Sequence, residues 1–180
     1  MHFDKPGKHN TDKTIEIAVE AAKQRGIKHI IVASHTGFTA KKLIGLEGFN
    51  VVCVSGVNGA REKGKNEMSE ETKQELIAGG VKVVTASHVL SGVERGVSTK
   101  VGGMYPAEIM AFTLRMLGQG VKVCVEIAIM ALDADTVPYA EQVVAIGGTG
   151  AGADTAAILT PSHASSVFET KVHEILCKPS

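Results

Sequence analysis

Between Ser34 and Ala40 the chain reads Ser-His-Thr-Gly-Phe-Thr-Ala, with three hydroxyls, an imidazole and a glycine in seven residues. The apolar run Ile30-Ile31-Val32-Ala33 precedes it and a short helical pattern follows. Backbone N–H groups at the start of a helix have no partner inside it and carry partial positive charge, so a phosphate can satisfy them. A hydroxyl-rich turn where a strand hands over to a helix is therefore an anion cradle. Ser34, His35, Thr36, Gly37, Phe38 and Thr39 are its candidate binding residues, and the chemistry they point to is binding of a phosphorylated small molecule.

Two other stretches imitate nucleotide motifs. Gly59-Ala60-Arg61-Glu62-Lys63-Gly64-Lys65-Asn66 approaches G-x-x-x-x-G-K-[ST], but Asn66 replaces the hydroxyl that would hold Mg²⁺ and the next helix starts several residues late. Gly148-Thr149-Gly150-Ala151-Gly152-Ala153 has the letters of a dinucleotide loop, yet it comes late and leads into a strand pattern. It either closes a tight turn or presents N–H groups to a ligand, and Asp154 after it either meets the ligand or caps the loop.

His35, His88 and His163, with Cys53, lack the short spacing of a metal site on one helix, so no metal is expected. His35 and His88 fall at strand ends, where each suits a hydrogen bond to a ligand. No G-x-S-x-G elbow supports a Ser–His–Asp triad.

These residues need a frame, and the pattern supplies one. Ile15, Ala18, Val19 and Ala22 follow the cap-type residues Asn10-Thr11-Asp12 at helical spacing. Lys28 to Ala33 reads as a buried strand, Thr39 to Leu46 as a two-turn helix, and Phe49 to Ser55 as a second strand. A polar loop runs to Met68. Ser69 then caps a helix with Glu70 and Glu71 in its first turn, ended by Gly79-Gly80, and Val81 to Thr85 is the third strand.

Val89 to Gly103 shows no clear period, and Tyr105-Pro106 opens a helix to about Leu117. Val121 to Ala134 reads as a buried helix, because Lys122, Glu126 and Asp133 share one helical face. Further strands are expected at Gln142 to Ile146, Thr155 to Thr160 and Lys171 to Cys177. This succession predicts one domain over residues 1–180, a three-layer α/β/α sandwich with a mostly parallel sheet. Ligands of such sheets bind outside the carboxyl ends of the strands. Ser55, Gly56 and His88 join the first turn there, with Gly147, Gly148, Thr149 and Asp154 on its other flank.

With 19 basic and 19 acidic residues the chain lacks the basic surface of a nucleic-acid binder or a polybasic membrane anchor. No apolar run approaches the length of a membrane span without a charge, and the amino terminus has no apolar core of a leader. Cys53, Cys124 and Cys177 are odd in number and lie far apart, the first two among apolar neighbours. A cytoplasmic protein is the expectation.

The strand–Ser34-to-Ala40–helix unit, the βαβαβ order and the late glycine loop together resemble the archaeal stand-alone proteins similar to the C-terminal domain of pyruvate kinase. Thr36-Gly37-Phe38-Thr39-Ala40 looks like the turn that, in pyruvate kinase, holds a phosphate of an allosteric sugar bisphosphate. Phe3 to Lys8, Lys28 to Ser34, Tyr105 to Ile109 and Gly147 to Thr155 are similar to the stand-alone family over nearly the whole chain.

Kinase activity is not implied, since the catalytic barrel of pyruvate kinase has no counterpart. What the resemblance implies is flavin mononucleotide (FMN) in the crevice, with Ser34, Thr36, Gly37 and Thr39 at the phosphate and Gly147 to Thr149 flanking the ring. With 4% aromatic residues, apolar and backbone contacts must replace ring stacking. The alternatives are a regulatory module sensing a sugar phosphate or nucleotide, and a flavin-dependent oxidoreductase with His35 or His88 as proton donor. A homo-oligomer is compatible with the unassigned segment Val89 to Gly103.

Overall fold

The computed structural model describes residues 1–180. Strands form where β-branched and aliphatic residues run together, and helices where apolar residues recur every three or four positions. In chain order these are β1 (His2–Phe3), α1 (Thr11–Arg25), β2 (His29–Ala33), α2 (Phe38–Lys41), β3 (Asn50–Val54), α3 (Glu70–Ala78) and β4 (Lys82–Val84). There follow α4 (Gly92–Val101), α5 (Pro106–Arg115), α6 (Gln119–Asp133), β5 (Val143–Gly147), β6 (Thr155–Thr160) and β7 (Lys171–Pro179).

The strands make one seven-stranded sheet in the order β1-β7-β6-β5-β2-β3-β4. β5, β2, β3 and β4 are parallel, β6 runs antiparallel to β5 and to β7, and β1 pairs parallel with β7. The mostly parallel α/β sheet is as the sequence predicts. The antiparallel flank arises because β5 returns into β6 through a short glycine-rich loop, too short for a crossover.

Successive strand residues point to opposite faces and build two cores. Ile30, Val32, Val51, Cys53, Val144 and Ile146 pack with Ala18, Ala22 and Leu76 of α1 and α3. Ile31, Val52, Val54, Val143 and Ala145 pack with Cys124, Ile127, Ala128 and Ala131 of α6. The expectation of a buried helix at Val121 to Ala134 holds, since α6 buries residues on every side, Lys122 and Glu126 among them. All three cysteines are free and buried. Desolvation pushes the Cys53 thiol up to about 12 and raises Cys124 and Cys177 as well, so none is a nucleophile at neutral pH.

Three local readings change. The helix expected from Thr39 to Leu46 keeps one α-turn, after which Lys42, Leu43 and Ile44 bond three residues back, to Thr39, Ala40 and Lys41. The segment Val89 to Gly103 contains α4, whose valines 93, 97 and 101 recur every fourth residue but are exposed. Gly96 and the β-branched content weaken its propensity, and no residue of α4 is buried. Glu94 of α4 fixes the next corner by accepting the Ala107 and Glu108 N–H groups at 2.8 and 3.2 Å. Finally, β1 is too short to show in the sequence. No helix is long and apolar enough to cross a membrane.

Candidate functional site

From β2 the chain moves outward to β3 and β4, then returns to β5 on the other side of β2. The order thus reverses between β2 and β5, where diverging connections leave a crevice at the carboxyl ends. The turn after β2, the loop after β5 and the ends of β3 and β4 meet there.

The turn after β2 is held from inside. Ser34 is buried, and its Oγ accepts the N–H groups of Thr39 at 3.2 Å and Ala40 at 3.4 Å. Ser34 is thus the brace of the turn. Gly37 sits at φ +89°, and a Cβ there would meet the Thr72 methyl at 2.4 Å, so both conformation and space demand glycine. The N–H groups of His35, Thr36 and Gly37 donate to no acceptor in the chain. Three successive unpaired donors at the start of α2 are what an anion requires. Thr36 is exposed, while Thr39 is buried behind the turn.

A cation stands beside these donors. Lys8 Nζ lies 4.0 Å from the centre of the Phe38 ring, and Lys42 Nζ lies 5.4 Å from it. Lys42 is paired with Asp12 at 2.7 Å, whereas Lys8 has no carboxylate partner. Lys8 is the residue that reading for a site passed over, although Phe3 to Lys8 is part of the resemblance.

Asp154 brings Lys8 there. Its side chain is fully buried and accepts from Gly7 N at 2.9 Å, Thr149 N at 3.1 Å and the Thr155 hydroxyl at 2.8 Å. Its carboxylate therefore ties the amino-terminal loop to the glycine-rich loop, in the role of a cap. Thr11 Oγ1 adds a second tie, donating to Lys8 O and accepting from Ala153 N. A Cβ at Gly152 would fall 2.7 Å from Lys8 Cα, so the two loops touch backbone to backbone. Gly147 and Gly148 sit at the base of the same loop, and Thr149 N–H is spent on Asp154.

The third wall is a chain of charged groups. His35 lies over Gly56, where an added Cβ would be 3.5 Å from the ring. The His35 and His88 ring centres are 6.2 Å apart, edge to face. His35 Nδ1 faces Glu67 at 3.7 Å, and Glu67 pairs with Arg61 at 3.3 Å. His88 Nδ1 faces Glu126 Oε2 at 3.5 Å, and the same oxygen takes Lys122 Nζ at 2.5 Å. Glu126 Oε1 accepts the Leu90 N–H at 3.1 Å. Ser55 Oγ bonds the Thr85 hydroxyl at 2.7 Å and closes the strand ends below. Glu126 and Lys122 are 2% and 6% exposed on their side chains.

Sequence reading placed Glu126 and Lys122 on one helical face without seeing that this face looks at His88. Their four-residue spacing inside an apolar helix was the available signal. No group of three or more His, Cys, Asp or Glu side chains is arranged to hold a metal ion. A cavity of about 280 Å³ bordered by Gly26, Lys28, Glu47 and Phe49 lies at the opposite, amino-terminal ends of the strands. It is remote from these groups.

Burial holds the His88 imidazole below its ordinary value, and Glu126 offsets part of that pull. The unfolded chain therefore binds this proton first. Stability carried by neutral His88 is present above about pH 6.5 and is lost as pH falls through the lower folded-state value. Between pH 7 and pH 5 the urea midpoint of the wild type should fall further than that of His88→Gln. Equal falls in the two proteins would refute the assignment.

A family model described as pyruvate kinase, alpha/beta domain, matches residues 12–159. The matched span runs from α1 into β6 and takes in the anion turn, both histidines, Glu126 and the glycine-rich loop. Lys8, β1 and β7 lie outside it.

Proposed function

The chain belongs to the family of the pyruvate kinase alpha/beta domain, and on that footing we propose that it binds a phosphorylated small molecule, FMN foremost, at the carboxyl ends of β2 to β5. The observation that carries this reading is the set of unpaired N–H groups at His35, Thr36 and Gly37, with the unpartnered Lys8 ammonium beside them. The resemblance to archaeal stand-alone proteins found with FMN supports the choice of ligand.

The residues present fit the group. The turn and Lys8 would hold the phosphate, and the Gly147 to Thr149 stretch would flank the ring. Flavin, when bound, supplies reversible electron transfer. The chain's own part is to fix the phosphate through His35, Thr36 and Gly37 and to set His88 against the body of the ligand. Ser34 and Asp154 keep the two loops in place.

A ligand present at 100 times its Kd stabilises the folded state by about 2.7 kcal/mol, so added FMN should raise the melting temperature visibly. Thr36→Ala removes an exposed hydroxyl available to a charged acceptor, worth about 1.5–3 kcal/mol. Titration of this variant should show affinity weakened by roughly tenfold to a hundredfold with the fold intact. Unchanged affinity would overturn the phosphate turn.

The paucity of aromatic rings favours a second reading. Phe38 is the one Phe, Tyr or Trp among the crevice residues, which suits a sugar phosphate or nucleotide sensed without catalysis. A melting shift with a sugar bisphosphate and none with FMN would select it.

A further inference from the structure

We propose that His88, oriented by Glu126 and Lys122, is a proton acceptor on the crevice wall for a weakly acidic N–H or O–H of the phosphorylated ligand. This rests on the reading that the crevice holds such a ligand, and it gives His88 the opposite polarity to a proton donor. A flavin ring N–H and a sugar hydroxyl share the required chemistry.

A buried Lys–Glu pair contributes little net stability, because desolvation of both ions offsets their attraction, and a well-packed apolar pair would serve the fold as well. Glu126 nevertheless sits at 2% exposure with all its contacts made: one oxygen on Leu90 N–H, the other shared by Lys122 and His88. Lys122 Nζ lies 2.5 Å from that carboxylate. The carboxylate, 3.5 Å from Nδ1, in turn favours the proton of neutral His88 there, which assigns the acceptor lone pair to Nε2.

The groups facing His88 are few. From α6 come Glu126 and Lys122, from the β2 turn comes His35, and the end of β3 presents Ser55. Arg95 and Arg115 lie near Lys122, the first paired with Glu108 and the second donating to Gln119. The Lys122–Glu126 pair is neutral as a unit, so desolvation dominates and His88 stays uncharged near pH 7, able to accept. In the transfer the ligand N–H or O–H bond breaks, its electron pair stays on the ligand, and a new N–H bond forms at Nε2. The imidazolium is then stabilised by Glu126. His88 is a quarter exposed, enough for the proton to leave to solvent.

The test reads the imidazole and the ligand separately. In the free protein at pH 7, long-range ¹⁵N–¹H NMR should show His88 neutral with its proton on Nδ1. In the double variant Lys122→Met/Glu126→Gln the preference for Nδ1–H should be lost. A charged His88, or one already protonated on Nε2 in the wild type, would overturn the proposal whatever binds.

Binding of FMN and of ribose 5-phosphate is then titrated from pH 5 to pH 8 in wild type and His88→Gln. For the probe that binds, wild-type Kd should rise by up to tenfold per pH unit below the His88 value, relative to His88→Gln, which cancels the titration of the phosphate itself. Which probe shows the difference identifies the N–H or the O–H as the acidic group. Parallel profiles in the two proteins would refute the acceptor role and leave the binding reading standing. Failure of both probes to bind at any pH would remove both.

Discussion

Lys122→Met is expected to destabilise the fold by about 3–5 kcal/mol, because it leaves Glu126 as an uncompensated charge in the interior. Glu126 is 2% exposed, against Leu90 N–H, His88 and Lys122. A methionine fills much the same volume as the lysine stem, so the loss is electrostatic and not a cavity effect. The companion variant Lys122→Met/Glu126→Gln should recover most of the loss, for the glutamine oxygen still accepts the Leu90 N–H and no charge remains buried. Urea denaturation of wild type, single and double variants measures all three. A single variant as stable as the wild type would mean that Glu126 is protonated or hydrated in the folded state.

The second large effect is expected at Asp154. Alanine there leaves the Gly7 and Thr149 N–H groups and the Thr155 hydroxyl without their acceptor, at about 1–3 kcal/mol for each buried donor. The consequence reaches function, because Gly7 carries Lys8 to Phe38 and Thr149 opens the glycine-rich loop. Asp154→Ala should therefore lose stability and phosphate affinity together, whereas Thr36→Ala loses affinity alone. Hydrogen exchange at Gly7 and Thr149 should accelerate in the same variant. Unchanged protection at both amides would show that Asp154 does not join the loops.

The contrast between these two residues marks how far the sequence can be read. Strands β2, β3 and β5 announce themselves as apolar β-branched runs, and α3 by Ser69, whose Oγ accepts the Thr72 N–H at 3.1 Å. The turn after β2 is legible for the same reason: strand, hydroxyls, glycine and helix start are contiguous, and N–H groups at a helix start are unpaired by local geometry alone. Short-range rules suffice where partners are a few residues apart. They fail for α4, where Gly96 and the β-branched residues weaken the helical signal and nothing is buried, and for β1, two residues whose pairing partner lies at the other end of the chain.

What the amino-acid order determined by itself, then, was the α/β frame, its family and the place of the hydroxyl-rich turn after β2, since each follows from residues adjacent in the chain. Only the tertiary structure decided which charges meet there. Asp154 reaches Gly7 across 147 residues, Leu90 and Glu126 across 36, and His88 finds His35 from a different strand end. A side chain's type states what it is able to bond, but its partner depends on which strand ends the sheet order sets side by side. Here that order reverses between β2 and β5, and the strand ends there set His35 beside His88 and His88 beside Glu126.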